Sequence, residues 1–180
     1  MEDIMNADKQ SRLYGNGIWR LCIVVTLVLG VQVLGGYATA SSVKSWYPLL
    51  VKAPWNPPGW VFGPVWSLLY ILMAWSGWRV WQQLARTGVE QPWQHPALQW
   101  FLAQLLFNLS WSVLFFGLRS PFLALVLMLW LWVSIAQMIR HFLRVDRTAG
   151  YSQVPYLLWV SFAFTLNAAI VYLNGMGPIH

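Results

Sequence analysis

Lys52-Ala-Pro-Trp-Asn-Pro-Pro-Gly-Trp-Val-Phe-Gly-Pro-Val-Trp-Ser-Leu-Leu-Tyr70 is the stretch on which the fold turns. It contains Pro54, Pro57, Pro58 and Pro64, interleaved with Trp55, Trp60 and Trp66. Proline locks φ and carries no N–H, so Ala53 to Pro58 is expected to run extended or turned. Proline is tolerated in a helix's first turn, so a helix can begin at Pro58 or shortly after it. The residues that follow are apolar. Tryptophan has an apolar body and a polar tip, and it favours the membrane–water boundary. A rigid, Trp-studded loop leading into a spanning helix predicts the lid and rim of a membrane pocket.

Composition supports the membrane reading. Of 180 residues, 58% are hydrophobic and only 9% are charged, with a mean hydropathy of +0.53. A soluble domain carries about 25% charge. So few charges cannot coat a soluble surface. The 14 Trp exceed what packing or interfacial anchoring needs. The net charge of +6 sits in short loops and not in a cluster, which points to membrane orientation and away from nucleic acid. Cys22 is the single cysteine, so neither an internal disulfide nor a cysteine metal framework is available. Met1 to Gly17 is polar and of mixed charge. It reads as an N-terminal segment and not as a signal peptide.

Apolar runs recur along the rest of the chain, at Ile18 to Ala40, Gly59 to Trp81, Pro96 to Phe116, Pro121 to Ile139 and Pro155 to Leu173. At 1.5 Å per residue each spans roughly 30 Å, the hydrocarbon thickness. Pro96, Pro121 and Pro155 open their runs, where a missing N–H does no harm. The expected architecture is an all-α integral membrane protein, one bundle of five transmembrane helices over residues 18–174. No internal repeat or low-complexity segment is evident, which weighs against an inverted-repeat transporter. Lys9, Arg12, Arg20, Arg79, Arg86, Arg140, Arg144 and Arg147 fall on one side, and Lys44, Lys52 and Arg119 on the other. The positive-inside rule then places the N-terminus inside and the C-terminus outside. In helix one, Gly36 and Ala40 form a small-xxx-small pair, read as internal packing or as a dimer contact.

No Asp or Glu lies well inside a span, which argues against a carboxylate relay or a two-carboxylate hydrolase. His95, His141 and His180 lie far apart in loops or at the tail, so no metal site within the bundle is expected. No nucleophile–His–Asp set is visible in the spans. Amides and aromatics remain. Gln104, Asn108, Trp111 and Phe115 share one helical face; so do Trp66, Tyr70, Met73 and Gly77; so do Trp159, Ala163, Leu166 and Ile170, with Asn167 at the border. An unpaired amide in hydrocarbon is costly, so Asn108 must face the bundle and bond a neighbour or a ligand. The three faces would line a flat aromatic cavity with a few polar tips, suited to a planar apolar ligand. Each feature also has a plainer reading: Asn108 as interhelical glue, the aromatic stripes as core, and Trp19, Trp46, Trp78, Trp81, Trp93 and Trp100 as interfacial anchors.

These motifs resemble the TspO/translocator protein family, also called the tryptophan-rich sensory protein or peripheral benzodiazepine receptor family. The resemblance rests on Trp46-Tyr47, on the Lys52 to Tyr70 stretch, on Gln104-Leu-Leu-Phe-Asn108-Leu-Ser-Trp111 with Phe116, and on Pro155-Tyr-Leu-Leu-Trp159 through Ala163 to Asn167. It implies a five-helix bundle, commonly a homodimer, with a pocket capped by the first loop. It also implies binding of porphyrins such as protoporphyrin IX and of related planar lipophilic ligands, with no cofactor or metal. Carried over by motif position, the ligand-binding residues would be Tyr47, Trp66, Tyr70, Asn108, Trp111, Trp159 and Ala163. Trp66 and Asn108 would donate hydrogen bonds, Trp159 would pack on the ring system, and Ala163 would keep its wall low.

The function implied first is a membrane receptor or sensor of tetrapyrroles. The second is a light- and oxygen-dependent porphyrin degradation, in which Trp66 and Trp159 would be the catalytic residues. The third is transport of tetrapyrroles or lipids. The family's sterol motif needs a Lys or Arg after Tyr172, and none follows, which counts against specific cholesterol binding. The short tail and the inside-positive loops suit a bacterial cell envelope.

Overall fold

A computed structural model describes residues 2–175, with side chains from residue 17 onward. Lys9, Arg12 and His180 therefore lie outside the described side chains. Five helices are long and apolar enough to cross a membrane. They are α1 (Glu2–Ala40), α2 (Phe62–Arg86), α3 (Pro96–Ser112), α4 (Pro121–Val145) and α5 (Val154–Asn174). No strand occurs among the described residues. The chain is thus an all-α membrane bundle, as composition and periodicity predict.

Local chemistry sets the helix ends. A 3₁₀ turn over Gly59–Val61 leads into α2, so the helix begins just after Pro58. Pro96 and Pro121 each stand in the first turn of their helices, and Pro155 does so in α5. The His95 Nδ1 accepts from the Ala97 N–H at 3.2 Å and caps α3. Helix α2 closes on Gly88, whose φ of 79° lets the Val89 N–H reach back to the Leu84 carbonyl at 3.1 Å. The apolar runs underestimate three helices. α1 already begins at Glu2, so the polar segment before Ile18 is its continuation and not a separate segment. α2 continues past Trp81 to Arg86 and α4 past Ile139 to Val145, because a polar end still forms backbone bonds after its side chains leave the hydrocarbon. After Ser112, α3 widens into a π turn over Val113–Gly117, with the Leu118 N–H bonded to the Val113 carbonyl at 2.8 Å.

The helices form a ring. α1 packs on α2 and α3, α3 on α4, and α4 on α5. The α2–α5 junction is made largely by side chains, with Phe62 against Trp159 at 5.8 Å and Trp66 against Tyr156 at 6.2 Å between ring centroids. Water is absent from a bilayer core, so association rests on close packing and hydrogen bonds. The half of the bundle distant from the 46–58 loop is solid. Met73, Val80 and Leu84 of α2, Leu98 and Phe101 of α3, and Leu131, Ile135 and Phe142 of α4 fill it. Gly77 allows this approach, since a Cβ there would stand 2.8 Å from the Phe101 ring.

Trp46 and Trp81 correct one expectation. Each is only 2% exposed, so both are core residues and not interfacial anchors. Trp81 is enclosed by Trp19 and Trp93, at centroid distances of 5.2 and 4.0 Å. Trp55 and Trp60 are exposed, as an anchor should be.

Two polar clusters tie the ring together. In its middle, the Tyr70 hydroxyl donates to Asn108 Oδ1 at 2.8 Å, and Asn108 Nδ2 donates to the Tyr156 hydroxyl at 3.0 Å. One amide so joins α2, α3 and α5. At the end away from the 46–58 loop, Arg79 Nε and Nη2 both donate to Asp146 Oδ2, at 2.9 and 2.7 Å. Asp146 Oδ1 accepts from the Ala149 N–H at 3.0 Å and caps the short helix Arg147–Tyr151. Gln153 Nε2 then donates to the Leu72 carbonyl at 3.0 Å and closes α5 onto α2. Burial works against the Asp146 carboxylate, but the Ala149 N–H and the Arg79 guanidinium outweigh it. Its pKa is held below the ordinary value of 3.8.

Asn108→Ala leaves two buried tyrosine hydroxyls short of a partner, which should cost about 1–3 kcal/mol. Thermal unfolding of the detergent-solubilised protein will read this as a lower midpoint, and a tyrosine-to-phenylalanine change at position 70 or 156 will be additive with it only in part. Asp146→Ala removes a helix cap and an ion pair, and should cost about 1–2 kcal/mol at neutral pH. Because folding lowers the Asp146 pKa, its contribution is complete above 3.8 and is lost as pH falls through the folded value. The melting points of Asp146→Ala and the parent should therefore converge only in that acid range.

Candidate functional site

Above the Asn108 cluster the bundle is hollow. A cavity of about 710 Å³ lies between α1, α2, the end of α3 and α5, under the 46–58 loop. Its volume falls within the range of ligand sites, roughly 300–1,000 Å³. α4 does not reach it.

Six of the seven residues expected to bind ligand stand on its wall: Tyr47, Trp66, Tyr70, Trp111, Trp159 and Ala163. The seventh, Asn108, does not. It is 2% exposed and lies beneath the floor, where both ends of its amide are taken by Tyr70 and Tyr156. Its position corrects the expectation that it presents a donor to the ligand. It holds the Tyr70 ring in place, and Tyr70 forms the floor. Gln104, one turn further along α3, is fully buried and also off the cavity. On α2, Met73 and Gly77 are likewise core. The helical faces are those the spacing gives, but only the half of each face nearer the loop lines the cavity.

The wall is aromatic. Trp66 is tilted on Tyr70 at 5.6 Å, Trp111 stacks on Phe115 at 5.2 Å, and Trp159 meets Phe62 edge-on. The π turn after Ser112 brings both Phe115 and Phe116 to the cavity. Trp159 Nε1 is buried and has no hydrogen-bond partner, so it is a donor in want of an acceptor. The Asn167 amide is spent on the first turn of α4, donating to the Pro121 carbonyl and accepting from the Leu125 N–H, each at 3.1 Å. No charged side chain lines the cavity, and it contains no acid–base pair.

The loop is a fixed lid. The Tyr47 hydroxyl donates to Asn56 Oδ1 at 3.2 Å, and Asn56 Nδ2 donates to the Pro57 carbonyl at 2.9 Å. Burial pushes the Tyr47 pKa up, and the Asn56 bond opposes that only in part, so the phenol stays protonated at neutral pH. Asn174 clamps Val51 at both backbone groups, accepting from its N–H at 3.0 Å and donating to its carbonyl at 2.8 Å. Ser42 Oγ donates to the Phe116 carbonyl at 2.7 Å, and Trp46 packs edge-on against Phe115.

The contribution of α1 is the part that sequence reading missed. Gln32, Gly35, Gly36, Thr39 and Ala40 line the cavity. Gly35, Gly36 and Ala40 were visible as small residues, but small residues along a helix read first as helix packing; Gln32 and Thr39 gave no signal. A Cβ on Gly36, or on Gly63 of α2, would meet no atom within 4 Å. The Gly36–Ala40 pair is therefore not an internal helix contact. It borders an open flank of the cavity between α1 and α2.

Comparison with known proteins agrees with this architecture. A family model described as TspO/MBR matches residues 22–173. The chain is 39% identical over 157 residues to the tryptophan-rich protein TspO of Chlorobaculum tepidum, covering 87% of this chain and 97% of that one. It is 38% identical over 133 residues to the tryptophan-rich sensory protein of Cereibacter sphaeroides, covering 74% and 79% of the two chains. It is 36% identical over 125 residues to the translocator protein of Homo sapiens, covering 69% and 72%. A five-helix membrane bundle, the proline- and tryptophan-rich stretch and the extent of these matches lead to one conclusion: the chain belongs to the TspO/MBR family.

Proposed function

We propose that this protein is a membrane receptor for planar lipophilic ligands, with porphyrins of the protoporphyrin IX type foremost, and that it reports tetrapyrrole level or stress. The observation that carries this reading is the uncharged cavity of about 710 Å³ walled by Trp66, Tyr70, Trp111 and Trp159. Flat aromatic walls favour a flat aromatic guest through offset and edge-on stacking. The Trp159 N–H, buried and without a partner, becomes a directional donor to a ligand acceptor once its ring turns toward the cavity. Such a receptor needs a pocket and no turnover chemistry. In this reading the loop end of the bundle faces outward and the N-terminus inward, in a bacterial cell envelope.

One observation favours a second reading, light- and oxygen-dependent porphyrin degradation. Trp66 and Trp159 both stand on the cavity wall, where an excited porphyrin could exchange an electron with an indole. The protein would then supply placement and shielding, not proton transfer.

Titrating dark-handled protein with protoporphyrin IX should quench tryptophan fluorescence with saturable, one-to-one stoichiometry. Trp159→Phe should weaken binding about tenfold, since it removes the unpartnered donor while keeping an aromatic wall. Wild-type affinity in both Trp159→Phe and Trp66→Phe would exclude the cavity as the site. Ala163→Phe adds a ring to a low wall and should reduce affinity more than tenfold, with the thermal midpoint unchanged because the side chain enters empty space. Illuminating the same samples separates the two readings. Conversion to a defined product that needs Trp66 and Trp159 indicates turnover, whereas equal bleaching in the Trp66→Phe/Trp159→Phe variant indicates solution photochemistry.

A further inference from the structure

Gln32 is a primary amide in the middle of a membrane helix. The α1 span runs over Gly17–Ser45, so Gln32 lies about 20 Å along the helix from either end. Lipid chains offer an amide no hydrogen bond, and an unbonded one in hydrocarbon is costly. A glutamine at that depth needs a partner, either in the protein or in a guest.

The bundle does not supply one. Gln32 is half-buried on the cavity wall, and its side-chain amide takes part in no hydrogen bond among the described residues. The other amides and hydroxyls of the lining are mostly spent. The Tyr47 and Tyr70 hydroxyls are bonded to Asn56 and Asn108, and the Asn167 amide to α4. Thr39 Oγ1 donates to the Gly35 carbonyl at 2.8 Å, and Ser67 Oγ to the Gly63 carbonyl at 2.9 Å. Besides Gln32, the Ser112 hydroxyl alone is left unbonded among the described residues.

The fold brings these two groups to one side of the cavity. A Cβ on Gly35 would stand 3.3 Å from Ser112 Oγ, so Ser112 faces α1 there. Gln32 precedes Gly35 by one turn, toward the Asn108 floor. A Cβ on Gly36, one turn after Gln32, would meet no atom within 4 Å, so the long glutamine side chain has room to swing into the cavity. Trp66 and Trp159 stand on the walls made by other helices.

We infer that Gln32, with Ser112 beside it, is a hydrogen-bonding subsite for the edge of the bound ligand. It favours planar lipophilic guests whose edge carries a neutral group that both donates and accepts, a primary amide or a lactam, over guests whose edge only accepts, such as esters. This rests on the receptor reading above. The Gln32 amide offers donors at Nε2 and an acceptor at Oε1, and a second amide meets both at once. An ester meets Nε2 alone and leaves Oε1 without a partner in a dry cavity.

The test uses two uncharged derivatives of protoporphyrin IX that share one macrocycle, the diamide and the dimethyl ester. The parent, Gln32→Met and Ser112→Ala are titrated in the dark by tryptophan quenching. The parent should bind the diamide about tenfold more tightly than the diester, the size of one further hydrogen bond. Gln32→Met keeps the length of the side chain without its amide. It should bring the ratio close to one by weakening the diamide more than the diester, with the thermal midpoint no lower than that of the parent. Ser112→Ala should lower the ratio by less. Equal affinity of the parent for the two derivatives, or an unchanged ratio in Gln32→Met, overturns the inference and leaves the receptor reading standing. An unchanged ratio joined to a smaller particle mass by light scattering also overturns it, since that assigns the amide to a second copy of the chain. Failure of both derivatives to bind a parent that still binds protoporphyrin IX overturns this inference alone. Failure of all three porphyrins removes the receptor reading, and this inference with it.

Discussion

A single amide holds the middle of this bundle. Asn108 accepts from Tyr70 and donates to Tyr156, so α2, α3 and α5 meet at one fully partnered point inside hydrocarbon. An amide there is expensive unless both its ends are bonded. Once both are bonded, the three helices can neither slide nor rotate without breaking a buried contact. On the far side of Asn108 from the lid the bundle is packed solid; on the near side a cavity opens beside a small packed cluster of Trp46, Leu50, Phe115, Ala124 and Ile170. The position of one side chain therefore divides packed core from cavity.

The hollow half persists because its boundaries are rigid in different ways. Prolines stiffen the lid segment, which turns at Pro54–Trp55 with the Asn56 N–H bonded to the Ala53 carbonyl, and Asn174 pins it to the end of α5 through both backbone groups of Val51. The π turn after Ser112 adds girth at the end of α3 and presents Phe115 and Phe116 together. On α1 the opposite strategy operates. Gly36 and Ala40 leave little bulk on a flank where a Cβ on Gly36 would find no neighbour. Bulky aromatic rings on three sides and near-absent side chains on the fourth give a flat volume open toward α1 and α2.

The electrostatics are equally divided. Asp and Glu stand in segments at one end of the bundle, and the lid-end segments between helices carry Lys44, Lys52 and Arg119. No charged side chain lines the cavity. Trp159 Nε1, on a residue of the wall, is buried and without a partner.

Much of this was legible from the chain. Five apolar runs, helix-opening prolines and the scarcity of charge determined a membrane bundle, because a bilayer admits few alternatives for an apolar chain of this length. Helical spacing put Trp66 with Tyr70, Trp111 with Phe115, and Trp159 with Ala163, since periodicity alone decides which side chains share a face. Periodicity says nothing of depth along that face. It could not tell that Trp66 faces space while Met73, on the same stripe, faces packed rings. Nor could it choose between glue and ligand contact for Asn108, because both demand an inward amide and only the positions of Tyr70 and Tyr156 settle who receives it. The small residues of α1 carried the same ambiguity: glycine permits close packing and equally permits a void. Which of these occurs depends on where the neighbouring helix stands, and only the tertiary structure decides that.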